Sequence, residues 1–214
     1  MRDNQEYWER EWQSDTMEAY ESYLLGHMRA RPWFLDAFKS HGFSYVCDAA
    51  CGFGAYSAML SANGYQVSGF DVSQTAVRIT TELLHRNQLA FEQYRVCDIC
   101  TIDFADGVFD AVVAHAVLDH LDTNSIQQAI SELFRITKEK GLVYVSFDPL
   151  EQDDIDEAHE VLSDGSFVYQ SGSRDGLLFH YYTDEDIRTL LKDKSVLQWN
   201  HNKRGERELL LIKD

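Results

Sequence analysis

Apolar residues recur at helical spacing in the first part of the chain. Tyr20, Tyr23 and Leu24 share one face of a first predicted helix, and Pro32 stands where a second helix would begin. Gly42 supplies a natural stop for that second helix. The pattern therefore predicts two helices within residues 16–40.

From Phe43 onwards, short apolar runs alternate with helical stretches. The predicted strands cover residues 45–47, 65–70, 91–97, 108–114 and 142–147. The predicted helices between them cover residues 55–63, 73–86 and 123–138, the last of them ended by Gly141. Strands and helices that alternate at this pitch are typical of a parallel sheet covered by helices on both faces. The pattern therefore predicts a doubly wound α/β fold.

The regular alternation ends at Pro149. Thr183 with Asp186 approximates a capping box, which predicts a helix over about residues 184–192. Residues 195–201 and 206–212 are predicted to form two strands joined by a turn. An antiparallel hairpin of this kind is compatible with the end of a parallel sheet.

The composition is that of one globular domain, and the net charge limits the classes of partner that it can bind. The 214 residues are 44% hydrophobic, and 36 acids against 19 Lys and Arg give a net charge of −17. Such a negative surface repels phosphate backbones and anionic membranes, so nucleic acid and membranes are poor partners. Residues 1–12 are polar, and no apolar run approaches the ~18 residues of a membrane span. We expect a cytoplasmic protein with reduced cysteines.

The excess of acid is concentrated in residues 151–164. Two interpretations stay open: a solvated helix face, or a negatively charged flap beside a site for a cationic or neutral ligand. The acids of this segment are Glu151, Asp153, Asp154, Asp156, Glu157, Glu160 and Asp164.

The most informative stretch joins the first strand to the helix after it. The strand ends near Asp48, and Gly52 and Gly54 follow. Glycine lacks a Cβ, so the backbone here can bend tightly and approach a ligand at the carboxyl end of the strand, where open α/β sheets bind. A lone Gly-x-Gly also serves as a purely structural turn, so the neighbouring strands provide the test.

Two further acids end the next two strands. Asp71 follows Asp48 by 23 residues, close to the spacing at which an acid reaches a ribose diol. Asp98 can accept from an exocyclic amine, and Ile99 beside it can pack on an aromatic base. Each acid alone would fit a helix cap, but three at successive strand tips indicate a shared binding site.

These motifs resemble the class I S-adenosylmethionine-dependent methyltransferases over about residues 43–149. In that family a Gly-x-Gly-x-Gly turn follows the acid of the first strand, and Ala50 replaces its first glycine here. The resemblance implies one Rossmann-like sheet of seven strands, mostly parallel, with the antiparallel hairpin at its end. It also implies contacts with the cofactor, S-adenosylmethionine, at Asp48, Ala50, Gly52, Gly54, Asp71, Val72, Asp98, Ile99 and His115.

The resemblance further divides this single domain into three parts. Residues 1–42 are a helical lid, residues 43–149 the cofactor-binding core, and residues 150–214 a substrate-side insertion with the terminal hairpin. The aromatic residues between Tyr7 and Trp12 are similar to the lid of small-molecule methyltransferases, including the tellurite and thiopurine types, and equally fit an ordinary core flap.

Charge supports this cofactor over a dinucleotide. S-adenosylmethionine carries a sulfonium, an ammonium and one carboxylate, so a cradle of acids suits it better than it suits a pyrophosphate. An NAD-linked oxidoreductase is the alternative, although its fingerprint calls for a third glycine where Ser57 stands. A non-catalytic module that only binds the cofactor is a further hypothesis, because no catalytic residue is unambiguous.

Four cysteines raise the question of zinc. They form two pairs, Cys47 with Cys51 and Cys97 with Cys100. In the family sheet the second strand separates the pairs by about 10 Å, too far for one tetrahedral zinc ion. We expect no metal site.

The methyl acceptor is narrowed mainly by missing motifs. Methylases of nucleic-acid bases carry an Asn/Asp-Pro-Pro-aromatic or a Pro-Cys motif after the fourth strand, and this sequence has neither there. We therefore expect a small-molecule substrate. We also expect a monomer or homodimer. His120 is the candidate general base, and it equally fits packing at a helix start. His180 with Tyr181 and Tyr182 is a second cluster, for which packing is favoured.

Overall fold

A computed structural model describes residues 4–214. The strands are β1 Tyr45–Ala49, β2 Gln66–Asp71, β3 Tyr94–Val96, β4 Phe109–Ala114, β5 Thr137–Phe147, β6 His159–Val161, β7 Phe167–Tyr169, β8 Leu178–Phe179, β9 Ser195–His201 and β10 Arg207–Ile212. The helices are α1 Asn4–Glu11, α2 Met17–His27, α3 Phe34–Ser40, α4 Ala55–Ala62, α5 Gln74–Arg86, α6 Ser125–Ile136, α7 Gln152–Asp156 and α8 Asp184–Leu190. None of the helices in this part of the chain is long and apolar enough to cross a membrane.

Seven strands form the main sheet, in the order β3-β2-β1-β4-β5-β10-β9. Strands β1 to β5 pair in parallel, and β10 runs antiparallel to both β5 and β9. The predicted fold, mostly parallel with an antiparallel terminal hairpin, is therefore confirmed. Because the parallel strands end at one edge, their tips come together there.

Alternating residues of the strands feed two hydrophobic layers, one on each face of the sheet. Val112 faces the layer that includes Leu133 of α6, whereas its neighbour Val113 faces the layer that includes Phe34 of α3. All of these side chains are fully buried. Burial of each contributes roughly 1.5–3 kcal/mol, so helices on both faces hold the strand tips in fixed positions.

In the middle of the chain, the observed bounds of β3, α6 and β5 differ from the predicted ones. Strand β3 is only Tyr94–Val96, shorter than predicted, and α6 ends at Ile136 because β5 already begins at Thr137. Gly141 is therefore not the end of the helix but lies inside β5, beside a register shift in the pairing with β4. A Cβ at Gly141 would meet the carbonyl oxygen of Asp110 at 2.7 Å, so the irregularity needs glycine.

A second, three-stranded antiparallel sheet lies in the region after Pro149. Its order is β6-β7-β8, and the short helix α7 precedes it within the acidic segment. The predicted capping box is present, since the side chains of Thr183 and Asp186 each accept from the other's backbone N–H at the start of α8. That helix ends at Leu190, two residues earlier than predicted.

Candidate functional site

A cavity of about 1200 Å³ lies at the carboxyl edge of the main sheet. The tips of β1 to β4 and the 3₁₀ turn Leu118–His120 form one side of it. Helix α1 and the face of the small sheet form the other side. The predicted site residues that line it are Ala50, Asp71, Val72, Asp98, Ile99 and His120.

The turn after β1 depends on three residues in the left-handed region. Gly52 and Gly54 have φ of +53° and +87°, and Ala50 has φ of +57° although it carries a Cβ. A Cβ on Gly52 would meet the Trp12 ring at 2.8 Å, and one on Gly54 would meet Thr80 Cγ2 at 2.8 Å. The two glycines shape the turn without lining the cavity, whereas Ala50 lines it.

Asp71 ties the tip of β2 to this turn. Its Oδ2 accepts from the backbone N–H of Gly52 at 2.9 Å, and its Oδ1 accepts from that of Ser73 at 2.9 Å. Burial raises the pKa of Asp71 to about 6, against the opposing effect of these donors. A carboxylate offers about four acceptor positions, so Asp71 keeps capacity for a ligand in the cavity.

The tip of β3 adds a second acceptor and an apolar wall. Asp98 Oδ1 accepts from the backbone N–H of Cys100 at 2.7 Å, and the residue is exposed where it lines the cavity. Ile99 is buried, and Val72 lines the same cavity from the tip of β2. Apolar side chains beside a carboxylate suit a planar ring that carries an N–H donor.

The cysteines are all free thiols. Cys97 and Cys100 line the cavity, while Cys47 and Cys51 are buried at β1 and the turn. Within residues 4–214, no group of three or more His, Cys, Asp or Glu side chains is arranged to hold a metal ion.

Asp48 and His115, two of the predicted cofactor contacts, do not line this cavity. Asp48 accepts from Ser57 Oγ at 2.5 Å, and burial raises the pKa of this carboxyl to about 7. His115 Nδ1 lies 3.0 Å from Ser146 Oγ and 3.3 Å from a carboxylate oxygen of Glu206. Burial lowers the pKa of His115 to about 4. Both side chains support the walls from behind.

His120 lines the cavity and is held from two sides. Its Nδ1 lies 3.0 Å from the carbonyl oxygen of Leu178, and its ring meets the Trp8 ring edge to face at 5.0 Å between centroids. A carbonyl oxygen only accepts, so Nδ1 carries the hydrogen and Nε2 is the basic nitrogen. Burial lowers the pKa of His120, which keeps the imidazole neutral near pH 7.

The second predicted cluster packs outside the cavity. His180 Nδ1 lies 2.9 Å from Ser166 Oγ, and the ring stands 4.3 Å from that of Tyr182. The backbone N–H of His180 donates to the carbonyl oxygen of Asp119. These contacts fix the small sheet to the 3₁₀ turn.

Helix α1 brings residues to the site that the sequence analysis did not single out. Glu9 accepts from Ser73 Oγ at 2.6 Å and from Thr75 Oγ1 at 2.5 Å, at the start of α5. Gln5 donates to the carbonyl oxygen of Val72, and the guanidinium of Arg10 donates to that of Asp175. The spacing of Trp8 and Trp12 signals a shared helical face, but nothing in the sequence pairs Glu9 with α5.

Comparison of the sequence with known proteins identified a matching family model and a similar protein. Residues 47–145 match the model of a family described as methyltransferase domain. YqeM of Bacillus subtilis (strain 168), which is named a methyltransferase, is 28% identical over 162 residues, covering 72% of this chain and 60% of YqeM. The chain thus spans less than two thirds of that relative.

Solved structures share the fold. A S-adenosylmethionine-dependent methyltransferase of Methanosarcina mazei superposes with a TM-score of 0.68 at 20% identity, over 82% of this chain and 96% of that one. Magnesium protoporphyrin IX methyltransferase of Synechocystis, solved with bound S-adenosylhomocysteine, gives 0.63 at 20% identity, over 98% and 94%.

Proposed function

We propose that this chain is a class I, S-adenosylmethionine-dependent methyltransferase and that it methylates a small molecule in the cavity beneath α1, because residues 47–145 match a methyltransferase-domain model. The observation that carries this proposal is the convergence of Asp71, Asp98 and the left-handed turn at one cavity. No comparison and no contact favours the NAD-linked alternative.

The residues present fit the adenosine part of the cofactor. Asp71 is the acceptor for the ribose hydroxyls, and Asp98 is the acceptor for the exocyclic amine of the base. Val72 and Ile99 are the apolar residues against which the base packs. The two glycines allow the tight turn that places Ala50 at the wall of the cavity.

When bound, S-adenosylmethionine supplies a methyl group on a sulfonium. That group would pass to a lone pair of the acceptor, with S-adenosylhomocysteine as the leaving group. His120 receives the acceptor's proton at Nε2 where the acceptor must lose one. The residue is suited to this role because it is neutral and its ring is fixed by Leu178 and Trp8.

The size of the cavity supports a small acceptor. Its volume of about 1200 Å³ exceeds the range of about 300–1,000 Å³ that is usual for one small ligand, so it has room for a cofactor and a small second molecule. Helix α1 spans the opening and contacts both sides, through Glu9 on α5 and Arg10 on the loop before β8.

Calorimetric titration with S-adenosylhomocysteine tests the cofactor, and we expect saturable binding. A folded protein that binds none at millimolar concentration would overturn the proposal. Transfer of radiolabelled methyl to an extract of small metabolites then tests catalysis, because a module that only binds the cofactor labels nothing.

His120→Gln is expected to lower kcat far more than it changes KM, whereas His41→Gln, on the surface after α3, is the matched control.

A further inference from the structure

The acceptor side of the cavity is built largely by one face of the small sheet. Strand register pairs Glu160 with Val168 and Val168 with Leu178, so these side chains point to the same face. Leu162 and Gln170 continue that face by the two-residue period of a strand. All five residues line the cavity.

Aliphatic and aromatic groups dominate this part of the cavity. Leu162, Val168 and Leu178 come from the small sheet, and the Trp8 ring comes from α1. Because such walls bind by excluding water from apolar surface, the body of the acceptor has to be apolar or aromatic. Glu160 is the one charged residue on the inner face of β6 to β8.

Charge in the cavity is negative throughout the described residues. Five carboxylates line it, from Asp71, Asp98, Asp122, Glu160 and Asp175, and no described lining residue is Lys or Arg. Asp122, in the turn before α6, is held ionised, since hydrogen bonds from Ser125 and Asn124 outweigh burial and lower its pKa.

Two arginines that contact residues of the cavity wall are engaged by the protein itself. Arg174 pairs with Asp154 at 2.6 Å and with Glu157 at 3.4 Å, and its guanidinium stacks on the Tyr169 ring. Arg10 lies over the Tyr7 ring and donates to the carbonyl oxygen of Asp175. With His120 neutral, an anionic acceptor would meet carboxylates and no described cation at these walls.

We propose that the acceptor is an apolar or aromatic amine, and that Glu160 determines this specificity by pairing with its protonated nitrogen. The inference rests on the proposed methyltransferase function. Glu160 acts in recognition of this ammonium, which has no lone pair, so the methylated atom and the proton transfer assigned to His120 lie elsewhere on the acceptor.

Two pairs of ligands that differ in one group test this inference: tyramine with 4-hydroxyphenylacetate, and tryptamine with indole-3-acetate. Each is titrated calorimetrically into the protein saturated with S-adenosylhomocysteine. We expect the amine of each pair to bind about tenfold more tightly than the carboxylate. Glu160→Gln is expected to reduce that preference to below about threefold, while Glu92→Gln, an exposed acid remote from the cavity, leaves it unchanged.

Equal or tighter binding of the carboxylates would overturn the inference, as would a preference that survives Glu160→Gln. Failure of all four compounds to bind at millimolar concentration would count against it in the same way. The first titration, with S-adenosylhomocysteine alone, separates the two proposals. If that ligand binds and the amines do not, the methyltransferase function stands and the amine specificity falls.

Discussion

Asp71 is a buried acid whose protonation sets how well it can hold a ribose diol. Its pKa of about 6 lies above the ordinary value of 3.8, so it ionises as the pH rises through 6. An ionised carboxylate accepts hydrogen bonds more strongly than a protonated one. The affinity for S-adenosylhomocysteine should therefore rise about tenfold between pH 5 and pH 7.5 in calorimetric titrations.

Substitution of Asp71 and of Asp48 distinguishes the effects of these two acids on ligand binding. Asp71→Asn should bind weakly and almost independently of pH. Asp48 titrates in the same range, with a pKa of about 7, but it does not line the cavity, so Asp48→Asn should keep the pH dependence. A wild-type affinity that stays flat over this range would contradict the assignment of Asp71 to the diol.

Raised pKa values of these two acids also have a consequence for folding. The native state holds protons on Asp48 and Asp71 at pH values where the unfolded chain has lost them. Their contribution to the free energy of unfolding is therefore fully present below about pH 4 and is lost as the pH rises through 6 and 7. The ligand that we expect Asp71 to bind is held best at the upper end of that range.

Ala50 holds a backbone conformation that costs an L-residue roughly 1–2 kcal/mol. Ala50→Gly removes this strain and adds about 0.5–1 kcal/mol of chain entropy cost, so the free energy of unfolding should rise by up to about 1 kcal/mol. Ala58→Gly, inside α4, should lower it by about 1 kcal/mol. Urea unfolding of the two variants measures these opposite signs. Destabilisation by Ala50→Gly would show that the turn tolerates alanine without strain.

Strand order explains why the sequence located some site residues and missed others. Asp71 and Asp98 follow strands that end at the same edge, which alternation of apolar runs is enough to predict. The side-chain direction of Asp48 is set by Ser57, nine residues on, and that of His115 by Ser146 and Glu206. Contacts between distant segments of this kind leave no periodic signal along the chain.

At the scale of elements, α1 is fixed to the cofactor side by one carboxylate. Burial opposes ionisation of Glu9, but hydrogen bonds from Ser73, Thr75 and Gln13 outweigh it and lower the pKa to about 2. Because this pKa is below the ordinary value, the contact is fully present above about pH 4.5 and is lost as the pH falls through 2. The contact of Glu9 with the start of α5 is therefore present throughout the neutral pH range.

Glu9→Gln should loosen α1 without unfolding the protein. We expect amide hydrogens of residues 4–11 to exchange at least about fivefold faster, and S-adenosylhomocysteine to dissociate faster, since the three charge-assisted hydrogen bonds from Ser73 and Thr75 are weakened. Glu6→Gln, an exposed acid on the same helix, should change neither rate. Unaltered exchange in Glu9→Gln would mean that the packing of Trp8 and Trp12 alone holds the helix.

The errors at β3 and β5 also belong to this scale. Phe91 packs against the cluster that includes Ile79, Leu83 and Leu84 of α5, and the strand begins only at Tyr94. Gly141 resembled a helix stop because glycine serves both helix ends and bulges. Only the pairing of β5 with β4, remote in sequence, decides between the two.

For the whole molecule, the structure accounts for part of the acidic segment. Asp154 and Glu157 bind Arg174, and Asp164 accepts from Thr123 and Ser166, so these three stabilise the small sheet. Glu160 lines the cavity. The segment is therefore not one uniform solvated helix face, because three of its acids are paired within the protein, and a pattern of charge alone could not predict these partners.

The net charge of −17 remains a property of the whole surface, and it predicts that the chain does not bind polyanions. Electrostatic binding to phosphate backbones is strongest at low salt, so fluorescence anisotropy with labelled tRNA and duplex DNA at about 50 mM salt is the most sensitive test. We expect no saturable change up to micromolar protein, while a basic protein of similar size binds both under the same conditions. Saturable binding that weakens steeply with added salt would instead reveal a basic surface, and would reopen nucleic acid as the acceptor.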